Sequence, residues 1–159
     1  MGLDMYLKAK RCHFVSRYDG SDLHGTSEFS EALKKVPVLA AFESTFPEVV
    51  ECEAMYWRKA NAIHGWFVEN VQNGEDNCGS YYVSIKDLTK LRDDIREVLN
   101  DFNKAGEVLP TRSGCFFGNT EYDEWYWQDL ERTSQRLTAI LETPEKELKE
   151  WSFEYQSSW

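Results

Sequence analysis

Positive charge is what this chain has least of. Eighteen Lys and Arg stand against 28 Asp and Glu, for a formal charge of -10. A long-range field of that sign repels phosphate backbones, so general DNA or RNA binding is not expected. Long apolar runs are missing too: none reaches the length that spans a bilayer, and no membrane association is expected. In MGLDMYLKAKR the basic residues follow the apolar ones, the wrong order for a secretion signal, and Tyr6 stands where a myristoylation signal carries Ser or Thr. The four cysteines, Cys12, Cys52, Cys78 and Cys115, are widely spaced and form no CxxC. They predict reduced, partly buried thiols rather than a disulfide framework, and the Cys12–His13 pair alone does not make a zinc site. There is no phosphate-binding glycine loop, HExxH, calcium loop or nucleophile elbow, and SGCFFG at 113–118 has neither the spacing nor the flanks of a phosphate loop. No catalytic residue, cofactor or metal is therefore assigned from motifs.

Aromatics, by contrast, are abundant: six Trp, eight Tyr and nine Phe in 159 residues. Such a surplus fills a core, and it also lines ligand pockets and partner faces. The length suits one domain over 1–159 with a substantial core.

Periodicity gives the elements. Leu3, Met5, Leu7 and Ala9 alternate with Asp4, Tyr6, Lys8 and Lys10, which predicts a half-buried strand over 2–10. A polar loop over 16–27, a short helix over 28–35 capped by Ser27 and ended by Pro37, and a turn at Pro47 follow. A second strand is expected over 49–55, then a helix over 56–72. Its inner face would carry Tyr56, Ala60, Ile63, Phe67 and Val71, with Trp57, His64 and Val68 at the edge and Arg58, Ala62, Trp66 and Glu69 outward. Asn73–Gly74 stops it. SYYVS reads as a strand. Ser84 and Asp87 predict a capping box for a helix over 85–103 with an inward stripe from Leu88 to Phe102. CFF at 115–117 reads as a strand end. Thr120 is the expected cap of a third helix over 121–141, with Tyr122, Tyr126, Leu130, Leu137 and Leu141 inward and Trp125 outward. Thr143–Pro144 ends it, and WSFEYQSSW closes the chain with a strand. The fold class is α+β: a small antiparallel or mixed sheet of four to five strands packed against three main helices.

Three groups of residues carry candidate chemistry. Arg58, Asn61 and His64 recur every three residues along one helical flank; with Lys59 they offer donors for a small anionic ligand such as a nucleotide, and Trp66 offers a stacking face. Trp66 and Trp125, outward on their helices, need a cover: the chain's own loops, another subunit, or a partner for which they would form a protein-interaction face. Glu121, Asp123 and Glu124 open a stretch, 121–131, holding five acids and no base; this is a negative patch toward a basic partner or the ordinary preference of a first helical turn for acids. A hydrolytic alternative uses His64 as general base with Asp76, Glu121 or Asp123. The leading expectation is a non-enzymatic protein-interaction module; its candidate partners are a bacterial host protein or a small anionic ligand. Nothing in the sequence sets the oligomeric state.

Four blocks are also familiar as a set: the opening MGLDMYL, then YWRKANAIHGWFVENVQNGEDNCGSYYVS, then PTRSGCFFGNTEYDEWYWQDLE, and the closing FEYQSSW. Together they resemble a family of uncharacterised phage and prophage proteins. The resemblance implies a phage-encoded accessory protein acting in the cytoplasm of the infected bacterium, on host or defence machinery. It transfers no catalytic residue.

Overall fold

Strict alternation makes the first strand. A computed structural model describes residues 2–12 and 49–159. In it, β1 (Asp4–Cys12) follows a fully buried Leu3 and buries Met5, Leu7 and Ala9, because every second side chain of a strand falls on the same face. β2 (Val49–Arg58) comes next, then α1 (Asn61–Asn70), β3 (Ser80–Val83), α2 (Ile85–Asn100), a 3-10 turn (Phe102–Lys104) and α3 (Ala105–Val108). The chain ends with α4 (Glu124–Leu141), α5 (Glu145–Leu148) and β4 (Ser152–Ser158). The four strands form one sheet in the order β2-β1-β4-β3. β3 and β4 run antiparallel, with Tyr81 opposite Tyr155 and Val83 opposite Phe153. Sheet and helices together give the α+β class expected from the pattern.

Contacts divide the chain into two compact units, Met1–Ala9 with Cys52–Trp159, and Lys10–Glu51. The described part of the second is the outer ends of β1 and β2, where Lys10 and Glu51 pair at 3.3 Å. The predicted loop at 16–27, helix at 28–35 and turn at Pro47 lie outside the described residues, as does part of the span assigned to one domain.

Within the first unit the aromatic surplus is mostly core. Trp57 from β2 is fully buried, meets Phe67 of α1 edge-on at 5.9 Å, and donates from Nε1 to Thr133 Oγ1 of α4 at 2.7 Å. Phe67 stacks on Tyr155 of β4 at 3.9 Å. Three aromatic rings thus link sheet and α1, with the polar atom of Trp57 satisfied, as buried indoles require. α2 contributes Leu88, Leu91, Ile95 and Val98, and α4 contributes Tyr126, Leu130, Thr133 and Leu137. The two helices pack on each other through these stripes.

The capping box of α2 is present in full. Asp87 N donates to Ser84 Oγ at 3.1 Å, and Ser84 N donates back to Asp87 Oδ2 at 3.0 Å. Ser84→Ala is expected to cost about 1 kcal/mol, read as a lower urea midpoint at unchanged slope; no change in midpoint would show the box to be idle.

Several expectations are corrected. Tyr56, Trp57 and Arg58 end β2 instead of starting a helix, because the strand's alternation runs on through Met55 and Trp57, both buried. α1 begins only after a turn at Lys59. Trp66 and Ala62 are buried, not outward: α1 is covered on every side from Asn61 to Val68, Glu69 alone of the expected outward helix residues being exposed, and Trp66 Nε1 donates to Asp94 Oδ2 of α2 at 2.7 Å. Phe102 leaves the helical stripe at the 3-10 turn and is 63% exposed, resting on Trp127. CFF is a turn with Phe116 at φ 66, not a strand. α4 is capped by Asp123 rather than Thr120 and starts three residues late, leaving Tyr122 outside the core. Cys12, Cys52 and Cys115 are exposed where partial burial was expected, and all four cysteines are free.

Candidate functional site

The end of β2 must turn sharply to start α1, and one residue absorbs the turn. Lys59 sits at φ 61, a left-handed conformation that costs a non-glycine residue about 1 kcal/mol or more. Its N–H donates to Leu3 O at 2.8 Å, and its carbonyl accepts from Asn61 N at 2.8 Å. Opposite, Gly118 has φ 91, and a Cβ there would lie 3.4 Å from that of Lys59, so glycine permits both the backbone angle and the close approach.

Asn61 then fixes the facing loop. Its Nδ2 donates to Phe117 O at 3.1 Å and Asn119 O at 2.8 Å, and its Oδ1 accepts from Arg112 N at 3.0 Å. The side chain is buried and spent on positioning.

These segments and the first half of α4 enclose a cleft of about 790 Å³, in the size range of small-molecule sites. Tyr56, Arg58, Lys59, Asn119, Trp125 and Asp129 are among its lining residues. Trp125, Asp129 and Arg132 follow at i, i+4 and i+7, so α4 presents them as one stripe. Trp125 is 73% exposed. Arg132 Nη2 lies 3.3 Å from Asp129 Oδ1 and 3.3 Å from Tyr56 O. Burial pushes the Asp129 carboxyl up to about 6, against the opposing pull of Arg132.

The other charges of the cleft are unequally committed. Asp123 caps α4 by accepting from Tyr126 N at 3.1 Å and also accepts from Asn119 Nδ2 at 2.9 Å; the Asn119 bond first, then the backbone bond, holds its carboxyl below the usual range. Tyr56 donates its hydroxyl to Asp4, and Arg58 Nε stands 4.0 Å from the same oxygen while its side chain stays 63% exposed. Lys59 makes no ion pair among the described residues. With Arg132 held at 3.3 Å by Asp129, Lys59 and the more loosely paired Arg58 are the least committed cations of the cleft.

Of the residues singled out in the sequence, Arg58, Lys59, Asn61, Glu121, Asp123 and Trp125 come together here. Glu124 is exposed and accepts from Gln128 Nε2 at 2.8 Å. Trp66 is far from an exposed stacking face: beside its bond to Asp94 it carries Lys90 Nζ over its ring at 5.2 Å. His64 is fully buried: its Nε2 lies 3.0 Å from Asp76 Oδ2 and its Nδ1 2.8 Å from Tyr155 Oη. A carboxylate only accepts, so Nε2 carries the proton and Nδ1 accepts from Tyr155. Both nitrogens are engaged, and none faces the cleft. Trp159 Nε1 donates to Asp76 Oδ1 at 3.0 Å and completes the chain of bonds. The residues the pattern undervalued are Tyr56, hidden by the helix assignment, and Asp129, whose spacing from Trp125 was the available signal.

Among the described residues no group of three His, Cys, Asp or Glu side chains is placed to hold a metal ion, and no helix is long and apolar enough to cross a membrane. Comparison with protein-family models, with curated proteins and with solved structures finds no match.

Proposed function

We propose that the protein binds a small, planar, anionic ligand of the nucleotide class in the cleft between the β2–α1 turn and α4. One observation carries the reading: features that cost stability gather on this cleft. Lys59 is held at a strained φ, Trp125 leaves its ring in water, and Asp129 is pushed toward its neutral form by burial. Local rules broken together at one concave place are the signature of a site kept for binding. Arg58 and Lys59 supply donors to the anion, Arg58 with the planar fork that suits phosphate. Trp125 supplies the stacking face. The overall charge of -10 is not concentrated here, since the cations Arg58, Lys59 and Arg132 among the lining residues match the acids Glu121, Asp123 and Asp129 in number. His64, the general base of the hydrolytic alternative, is buried with both nitrogens engaged, so that alternative has no support from this cleft. The resemblance to phage proteins supports a role as an accessory protein in the bacterial cytoplasm, where a bound nucleotide is a signal or a captured resource.

A second reading keeps a host protein as the partner. It draws on exposed Trp125, Phe102 and Tyr122, all near the start of α4. The two readings separate by titration calorimetry with the four nucleoside 5′-monophosphates. The ligand reading expects at least one to bind in the micromolar range, and Arg58→Ala and Trp125→Ala each to weaken it about tenfold or more. Absence of binding by all four, or binding untouched by both substitutions, would remove it.

A further inference from the structure

We infer that the cleft selects a guanine-type base, a planar ring with two adjacent N–H donors on its edge, and that Asp129 is the residue that reads it. The inference rests on the nucleotide reading above and adds the class of base.

The geometry begins with α4. Trp125 and Asp129 are one turn apart on the same face of the helix, both toward the cleft. A ring laid on the Trp125 indole lies parallel to it, so its edge, not its face, meets the next side chain along the helix. That side chain is a carboxylate. Ionised, it only accepts, and it offers about four lone-pair sites. Arg132 takes Oδ1 at 3.3 Å; Oδ2 takes no hydrogen bond among the described residues.

Such an acceptor discriminates by sign. The guanine edge presents a ring N–H beside an exocyclic NH₂, two donors side by side for one carboxylate, in the fork arrangement that makes carboxylate pairs strong. The adenine edge presents one donor beside a bare ring nitrogen, which repels an oxygen lone pair. A partly buried carboxylate facing the wrong edge is left desolvated and unmet, which is how polar sites reject a near-isostere. Arg132 has two consequences. It holds the carboxylate in one orientation, and it favours the ionised form that burial alone would suppress. Arg58 and Lys59, at the β2 end of the cleft, remain for the phosphate.

The test is calorimetric titration of the intact protein with GMP, AMP, UMP and inorganic phosphate, repeated with Asp129→Asn. Asparagine keeps the shape but replaces one acceptor oxygen by a donor NH₂. Wild type is expected to bind GMP about tenfold or more tighter than AMP. Asp129→Asn is expected to lose or reverse that preference, because its oxygen and NH₂ complement the adenine edge, and its AMP affinity should not fall, an outcome that loss of fold or of the phosphate contact would not produce. Equal binding of GMP and AMP by wild type, or a preference retained by Asp129→Asn, overturns the base assignment and leaves the nucleotide reading standing. Binding of UMP alone overturns the assignment and leaves the nucleotide reading standing; binding of phosphate alone overturns both and leaves only an anion site. If none of the four binds, both readings fail.

Discussion

His64→Ala is expected to cost roughly 3–5 kcal/mol, a large part of the stability of a domain this size. The figure has three sources. Truncation leaves Tyr155 Oη, on a residue with no solvent exposure, without an acceptor. It deprives Asp76, whose side chain is only 17% exposed, of the donor at 3.0 Å. It also opens a cavity where the imidazole edge met the Phe117 ring at 5.1 Å. Tyr155→Phe removes one hydroxyl and keeps the packing, so it is expected to cost about 1 kcal/mol. Urea unfolding of the two variants gives both numbers; a His64→Ala midpoint near that of Tyr155→Phe would show that the His64–Asp76 half of the chain contributes nothing. The same site sets a pH dependence. Burial lowers the His64 pKa below its ordinary 6.5, with Asp76 opposing and Arg112 assisting. The folded state then takes up fewer protons than the unfolded one, so this stability is complete above pH 6.5 and is lost as pH falls through the lowered folded value. His64→Gln is expected to flatten that acid limb.

The sheet and the α2 and α4 stripes were legible because their signals are local. Alternation in β1 and the Ser84–Asp87 box need only a few residues to be read. Trp57 and Trp66 were not, because a helical wheel reports a period and not what covers each face. The run from Tyr56 to Trp66 satisfies a helical period, yet the strand ends only at Arg58 and the turn at Lys59 has no signature, since lysine at positive φ is imposed by the surroundings. The cleft was half legible. Arg58, Lys59, Asn61 and Trp125 stand out by residue type, but Asn61 belongs to the scaffold, tying down the loop by hydrogen bonds no pattern reveals. His64 was legible as special, with Asp76 among the carboxylates expected beside it; Tyr155, 91 residues away, which occupies the other nitrogen and closes the site to a ligand, was not.

Lys59→Gly is expected to separate binding from stability more sharply than any other change in the molecule. Glycine adopts φ 61 freely, so the substitution relieves strain of about 1 kcal/mol and gives back part of it because glycine raises the chain entropy of the unfolded state. A net gain of about 0.5 kcal/mol is expected. Nothing in the packing opposes this: the Lys59 side chain runs beside Gly2 and Gly118 without entering the core. Ligand affinity should move the other way, falling about tenfold to a hundredfold with the loss of one charge-assisted contact. Lys59→Ala is the companion variant, because it removes the same charge but keeps the strained angle; it should bind as weakly as Lys59→Gly and be no more stable than wild type. Thermal unfolding and titration of the pair read the two effects independently. A Lys59→Gly variant less stable than Lys59→Ala would mean that φ 61 carries no strain. A variant as tight as wild type would mean that the lysine faces the cleft without serving it. A more stable, weaker-binding protein would show that the fold tolerates a cost at this turn for the sake of what the lysine holds.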